Sequence, residues 1–145
     1  MKVALLGNMN NNFFSTARML WDRGVDAHLY VPKNTPPHFM PERDTYGSIP
    51  SQRVHYTDWD HPFQIFRNLR ELQRELEKFD FLIGCGGAPA YCSRAGIKLD
   101  LFVPYGGDLY DSIQYKLMHP RFILQTNYFA WHQRRGIRAA RNLHL

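Results

Sequence analysis

The chain begins with a short apolar run that is followed at once by a glycine and a polar loop. This order of segments is the strongest indication in the sequence of how the chain folds. Residues 2–6 read Lys-Val-Ala-Leu-Leu and predict a buried parallel strand. Gly7 and the asparagine-rich residues 8–12 follow. A helix is expected to start at the end of this loop and to stop at Gly24, before a second strand at residues 27–31. Doubly wound α/β domains typically begin with such a β-loop-α-β unit.

The rest of the chain continues the alternation of strands and helices. A third strand is predicted at residues 53–56, a fourth at 81–84 and a fifth at 101–104. Helices are predicted between the later strands and, after the fifth, over residues 111–118 and 120–135. We therefore predict a single three-layer Rossmann-like α/β domain with a mostly parallel sheet and the strand order 3-2-1-4-5.

The helix before the fourth strand has the clearest periodicity. Its apolar stripe steps by four and three positions, through Ile65, Leu69, Leu72, Leu76 and Phe79. This spacing favours a helix that lies on the sheet over a coiled coil.

The segment of residues 32–52 has no such pattern. Its prolines are Pro32, Pro36, Pro37, Pro41 and Pro50. An irregular stretch of this length inside a compact domain is either a functional loop or a tolerated surface insertion, and the sequence leaves both open.

Composition narrows the class of protein. A chain of 145 residues with 44% hydrophobic and 21% charged residues fits one globular domain. The apolar run at the start is too short for a signal-peptide core, so we expect a cytoplasmic protein. Cys85 and Cys92 cannot build a disulfide framework and are expected to be reduced thiols.

The net charge of +5 is concentrated near the end of the chain. Residues 112–145 contain no acid, and their bases are Lys116, Arg121, Arg134, Arg135, Arg138 and Arg141. A basic end of this kind can meet nucleic acid, anionic lipid or an acidic protein surface, or can be a solvated face.

The sequence lacks the motifs that mark several common classes of functional site. A dinucleotide site would place glycines where Met9 and Asn12 follow Gly7, and an acid where the second strand ends in Val31 and Pro32. There is no phosphate-loop motif for an NTPase, no nucleophile elbow for a hydrolase, and no Cys/His spacing that predicts a metal.

The candidate site lies where strands one, four and five end, because ligands of open α/β sheets bind beyond the carboxyl ends of the strands. Glycine in these turns lets a ligand approach the backbone. The candidate binding residues are Gly7, Asn8, Asn10, Asn11, Asn12, Gly86, Gly87, Tyr105, Gly106 and Gly107.

Asp108 is the candidate catalytic residue. It follows two glycines just past a strand end, where a carboxylate can accept hydrogen bonds from sugar hydroxyls or act as a base. It can equally cap the helix that follows, with help from Asp111. His61 and His119 each precede a proline and are expected to serve local structure.

These features together resemble the N-terminal domain of a GT-B-fold glycosyltransferase of the retaining family 4, or group 1, type. The resemblance is carried by residues 1–7, by the asparagine-rich loop, by residues 79–84 and by the Val-Pro-Tyr-Gly-Gly-Asp-Leu run of residues 103–109. Arg18, Leu20, Gly24, Asp26 and Leu29 add to it.

The resemblance implies that residues 1–145 form the acceptor-side half of an enzyme that transfers a sugar from a UDP- or GDP-sugar. This half would bind no cofactor tightly and would be inactive alone. The donor-binding domain of that family carries a Glu-x7-Glu motif, which none of Glu42, Glu71, Glu75 and Glu77 forms, so that domain would be absent or supplied by a partner subunit.

The same resemblance implies a sugar or lipid-linked acceptor and peripheral contact with the inner face of the membrane. The basic aromatic residues concerned are Phe122, Tyr128, Phe129 and Trp131 beside Arg121, Arg134 and Arg135. Nucleic acid is not an expected partner. A stand-alone nucleotide- or polyanion-binding module and a non-catalytic partner subunit are the alternatives.

Overall fold

The fold is built on one sheet of six parallel strands in the order β3-β2-β1-β4-β5-β6. A computed structural model of the protein describes residues 1–44, 49–60, 69–114 and 123–144. The strands are β1 (Lys2–Leu6), β2 (Asp26–Pro32), β3 (Val54–Thr57), β4 (Phe81–Gly84), β5 (Leu101–Phe102) and β6 (Asn142–Leu143). The predicted Rossmann-like fold and the order of the first five strands are confirmed.

The sixth strand is the part of the sheet that the sequence did not predict. Leu101 pairs with Asn142 and Phe102 with Leu143, so β6 extends the sheet beyond β5. Both residues of β6 are exposed, and no apolar run marks them. Backbone pairing, rather than burial of side chains, forms this edge strand. β5 itself has two residues, two fewer than predicted.

The helices connect the strands on both faces of the sheet. They are α1 (Asn12–Asp22), α2 (Arg70–Leu76), α3 (Ala88–Arg94), α4 (Gly107–Tyr110) and α5 (Ile123–Ala139). Short 3-10 turns lie at Met9–Asn11, Pro37–Phe39 and Pro41–Arg43. None of these helices is long and apolar enough to cross a bilayer.

Two predicted helices have different bounds in the structure. Residues 111–114 form turns instead of the first part of a helix, and α5 continues to Ala139, past the predicted end at residue 135. The predicted helical residue Ile65 lies outside the described residues. So do His61 and His119.

The alternation of side chains along β1 divides the core into two layers. Val3 and Leu5 pack on the side of α1, whereas Ala4 and Leu6 pack on the side of α2, α3 and α5. The predicted stripe on α2 faces this second layer, in which Leu72 and Leu76 are each 1% exposed. The two apolar layers on opposite faces of one sheet confirm the predicted three-layer architecture.

Helices α3 and α5 pack unusually closely at Gly136. A Cβ atom added there would lie 2.0 Å from the carbonyl oxygen of Pro89. Backbone therefore rests directly on backbone, and only glycine allows this contact. It matters for the site because α3 begins at the loop that follows β4.

This contact predicts that Gly136→Ala destabilises the protein. Alanine in a helix interior ordinarily gains about 1 kcal/mol over glycine. Here we expect a loss of about 1–3 kcal/mol in the free energy of unfolding, because the methyl group meets the backbone of Pro89. Urea denaturation measures it, with Arg138→Ala, at an exposed position of the same helix, as a control expected to change by less than about 0.5 kcal/mol. A stabilised Gly136→Ala variant would contradict the close packing.

Candidate functional site

An open cavity of about 450 Å³ lies at the carboxyl edge of the sheet. It is lined by residues from the segments 7–9, 32–39, 85–88 and 107–112, together with Asp60 and Tyr91, and we call it the switch-point cavity. From β1 the chain passes to β2 and β3 on one side, and from β4 it passes to β5 and β6 on the other. The cavity lies where these directions diverge, which is the usual ligand site of an open α/β sheet.

Gly7 brings the ends of β1 and β4 together. Its φ angle is +98°, and a Cβ atom there would lie 2.6 Å from Sγ of Cys85. The amide of Gly7 donates to the carbonyl of Tyr30, and the amide of Cys85 donates to that of Leu6, each at 2.9 Å. A larger residue at position 7 would therefore collide with the β4 turn.

Asn8 fixes the loop after β1. Its Oδ1 accepts a hydrogen bond from the amide of Phe14 at 3.0 Å, which satisfies the first turn of α1. Its Nδ2 donates to Oδ1 of Asn11 at 2.9 Å and to the carbonyl of Phe39 at 2.8 Å. Asn8 is 3% exposed, so this one side chain ties the helix start to the loop that covers the cavity.

Asp108 joins the turns after β4 and β5. One carboxylate oxygen accepts from the amide of Gly86 at 2.9 Å, and the other accepts from the amide of Tyr105 at 2.8 Å. The residue is 4% exposed. Both oxygens are thus engaged with backbone, and the geometry gives Asp108 a structural role in positioning the two turns. Its catalytic role stays a prediction.

Gln133 on α5 holds the same two turns by further hydrogen bonds. Its Nε2 donates to the carbonyls of Gly86 at 2.9 Å and Asp108 at 3.1 Å, while its Oε1 accepts from the amide of Ala90 at 3.0 Å. It is 0% exposed. A buried amide with all these partners is costly to replace, because each lost partner leaves a buried polar group unsatisfied.

The charges on the cavity wall are acidic. Asp60, Asp108 and Asp111 line it, and no Lys or Arg is among the described residues that do. Apolar surface comes from Phe39, Tyr91, Pro32 and Pro36, and neutral polar groups come from Asn34, Thr35 and Ser112. The wall is therefore suited to rings and hydroxyl groups rather than to a chain of phosphates.

The thiols near the cavity are unreactive in character. Cys85 and Cys92 are free and buried. Burial raises the pKa of the Cys85 thiol to about 12 and that of Cys92 further. Because the thiolate is the nucleophile, neither residue is suited to covalent catalysis at neutral pH.

The structure brings together the catalytic candidate Asp108 and part of the predicted binding set. Gly7, Asn8, Gly86, Gly87, Gly107 and Asp108 line the cavity. The remaining five residues are Asn10, Asn11, Asn12, Tyr105 and Gly106, and they are not among its lining residues.

These five residues shape the loops instead. Asn10 and Asn11 have φ angles of 52° and 58°, which asparagine tolerates better than most residues. Asn12 begins α1 and hydrogen-bonds Tyr105, whose ring lies 6.4 Å from that of Phe13. Gly106, with φ of +105°, turns the chain into α4.

The sequence left open whether the proline-rich segment of residues 32–52 is a functional loop or a surface insertion. Pro32, Asn34, Thr35, Pro36 and Phe39 line the cavity, which favours the interpretation of this segment as a functional loop. The available signal was its position, because it follows β2 at the same edge of the sheet as the glycine turns. Asp60, Tyr91 and Gln133 gave no local signal.

The comparisons with known proteins give no family. No protein-family model and no curated protein matches the chain. Two solved structures match it, both short-chain dehydrogenases/reductases from Veillonella parvula DSM 2008. One, of the wide type and in complex with NADP, is 11% identical with a TM-score of 0.41, and the other, an ethylated form, is 10% identical with a TM-score of 0.42.

Each match covers 97% of this chain and 65% of the other, so the chain spans less than two thirds of the length of these proteins. Likeness at this level carries no argument about activity.

The prediction of a GT-B glycosyltransferase domain is wrong. No family model or curated protein supports it, and the two matching structures are dehydrogenases/reductases. The physical reason is that the motifs behind the resemblance are general. A buried first strand ending in glycine, and a Gly-x-Asp turn after a later strand, serve any sheet of this topology, as the contacts of Gly7 and Asp108 show. The nucleotide-sugar and the missing donor-binding domain were implied by that resemblance alone.

The geometry predicts that Asp108→Asn destabilises the protein. The amide keeps one acceptor oxygen but turns an NH2 group toward a backbone N–H, so one buried donor loses its partner. We expect a loss of about 1–3 kcal/mol in the free energy of unfolding, measured by urea denaturation.

Asp111→Asn is the matched control, because it makes the same chemical change at an exposed position three residues away. It is expected to change stability by less than about 0.5 kcal/mol. Equal effects of the two substitutions would show that Asp108 does not hold the turns.

Proposed function

We propose that this domain is a binding module for a nucleoside or nucleotide, with the nucleoside part held in the switch-point cavity. The observation that carries the proposal is the place of the cavity, between the loops after β1 and β4, where the connections of the sheet diverge. Its volume of about 450 Å³ falls in the ordinary range of small-molecule sites.

The lining supports a nucleoside in particular. Phe39 and Tyr91 offer apolar ring surface, Asn34 offers an amide group, and Thr35 and Ser112 offer hydroxyl groups. A carboxylate such as that of Asp60 accepts hydrogen bonds from the hydroxyls of a sugar. A flat heterocycle joined to a polyhydroxylated ring uses all of these groups together.

The charge of the wall predicts how phosphates affect binding. No Lys or Arg is among the described residues that line the cavity, whereas Asp60 and Asp111 are. Phosphate groups therefore gain no ion pair from the described part of this wall and are repelled by its carboxylates. The loop after β1 also lacks the glycines with which dinucleotide-binding domains approach a pyrophosphate.

Calorimetry with adenosine, guanosine, uridine and their triphosphates tests the proposal. We expect at least one nucleoside to bind, and its triphosphate to bind no more tightly. Because the repulsion is screened by salt, any difference between the two ligands should shrink as salt rises. Absence of binding by every nucleoside and triphosphate, or a triphosphate that binds much more tightly, would contradict the proposal.

A variant whose side chain fills the switch-point cavity tests whether the nucleoside binds there. Gly107 lines the cavity and has no positive φ angle, and among the described residues a Cβ atom there would contact only the Asp111 carboxylate, at 3.6 Å. Gly107→Phe should weaken nucleoside binding at least about tenfold, which is about 1.4 kcal/mol. Gly107→Ala is the matched control with the same change in backbone freedom and should bind nearly as wild type. If Gly107→Phe binds normally, the ligand lies elsewhere.

A further inference from the structure

A second concave surface lies on α5, and its charge is opposite to that of the cavity. Trp131, Arg134, Arg135, Arg138 and Ala139 line an open groove of about 450 Å³, which we call the α5 groove. Helix α5 contains no acidic residue. Three guanidinium groups are therefore grouped within about one turn of a helix that has no carboxylate of its own.

The groove is built from positioned side chains. Arg134 is anchored by a 2.7 Å hydrogen bond from its Nε to the carbonyl of Ile113. Arg135 lies over the ring of Trp131, with its Cζ 5.3 Å from the ring centroid. The ring of His132 meets that of Trp131 edge-on at 4.5 Å. The indole is nevertheless 44% exposed, so it presents a held aromatic surface to solvent.

His132, which packs against Trp131, adds no charge of its own to the groove. Burial, together with the charges of Arg94 and Arg135, lowers the pKa of His132 to about 4. The imidazole is therefore neutral at physiological pH. The arginines nearby remain charged there.

From these contacts we infer that the α5 groove binds single-stranded nucleic acid, with the arginines on phosphates and the exposed indole against a base. Guanidinium groups recognise phosphate oxygens by paired hydrogen bonds, and bases stack on aromatic side chains without regard to sequence. The pairing of a basic groove with one exposed aromatic ring fits this polymer, although the sequence alone did not lead us to expect nucleic acid as a partner.

The other aromatic residues of α5 argue against a membrane as the occupant. Phe129 packs inward, because its ring lies 3.3 Å from where a Cβ atom of Gly87 would be. Tyr128 packs on His132, with ring centroids 4.6 Å apart. Trp131 and Ala139 are thus the apolar residues that the groove itself presents, which is little surface to insert among lipids. Arg121 and Phe122, named with them from the sequence, lie outside the described residues.

Fluorescence anisotropy with a labelled 12-nucleotide oligo(dT) tests the inference. Binding to three phosphates by the full chain predicts a slope of about −2 for log K against log salt concentration. The combined substitution Arg135→Gln and Arg138→Gln should reduce affinity at least about tenfold at low salt and reduce this slope to about −0.7. Trp131→Leu should weaken binding about fivefold or more, because stacking is lost.

The control variant removes the same number of positive charges, two, from the other face of the sheet. Arg23 follows α1 and Arg43 lies in the 3-10 turn Pro41–Arg43, and both are exposed. Arg23→Gln with Arg43→Gln should bind within about twofold of wild type, since the two charges lie outside the groove. Far-UV circular dichroism confirms that each variant is folded.

Three outcomes would overturn the inference. Equal loss in the control and groove variants would mean that net charge alone attracts the oligonucleotide. Absence of oligo(dT) binding at low salt would exclude nucleic acid. Flotation with phosphatidylglycerol vesicles, when oligo(dT) does not bind, would identify a membrane as the occupant. Gly107→Phe should leave oligo(dT) binding unchanged, so this result is independent of the proposed nucleoside site.

Discussion

The buried pair of Asp108 and Gln133 is the constraint on which the site depends. Asp108 accepts hydrogen bonds from the amide of Gly86, after β4, and from the amide of Tyr105, before α4. Gln133 donates to the carbonyls of Gly86 and Asp108 and accepts a hydrogen bond from the amide of Ala90 in α3. Two glycine-bearing turns, which have little internal structure, are thereby held in one arrangement. Because α5 supplies Gln133 and also packs on α3 through Gly136, the helix layer and the cavity wall form one connected unit.

How well each feature could be predicted from the sequence depends on how far apart in the sequence the interacting residues lie. Strands β1, β2 and β4 are buried apolar runs, so their existence and order could be inferred locally. The edge strand β6 forms by backbone pairing of exposed residues and left no such trace. The partners of Asn8 and Gln133 lie up to 47 positions away in the sequence, beyond the reach of any local pattern. The family resemblance failed for a related reason, because its motifs report the geometry of the sheet rather than a chemistry.

Charge separates the two surfaces of the domain. The switch-point cavity carries Asp60, Asp108 and Asp111, whereas the α5 groove carries three arginines beside Trp131. An uncharged, hydroxyl-bearing group suits the first surface, and a phosphate-bearing polymer suits the second. None of the described basic residues near the end of the chain lines the cavity. Helix α5 connects the two surfaces. Its Gln133 donates hydrogen bonds to the turns that line the cavity, and the next residue, Arg134, lines the α5 groove.

The most direct test of the central claim is a nuclear magnetic resonance titration of the ¹⁵N-labelled chain with adenosine, guanosine and uridine. Glycine amides resonate in a characteristic region, and Gly7, Gly86, Gly87 and Gly107 surround the cavity. On nucleoside binding we expect the largest changes in chemical shift at these four amides, and no change in the signal of the Trp131 indole N–H. Shifts concentrated on α5, or no shifts with any nucleoside, would contradict a nucleoside site in the switch-point cavity.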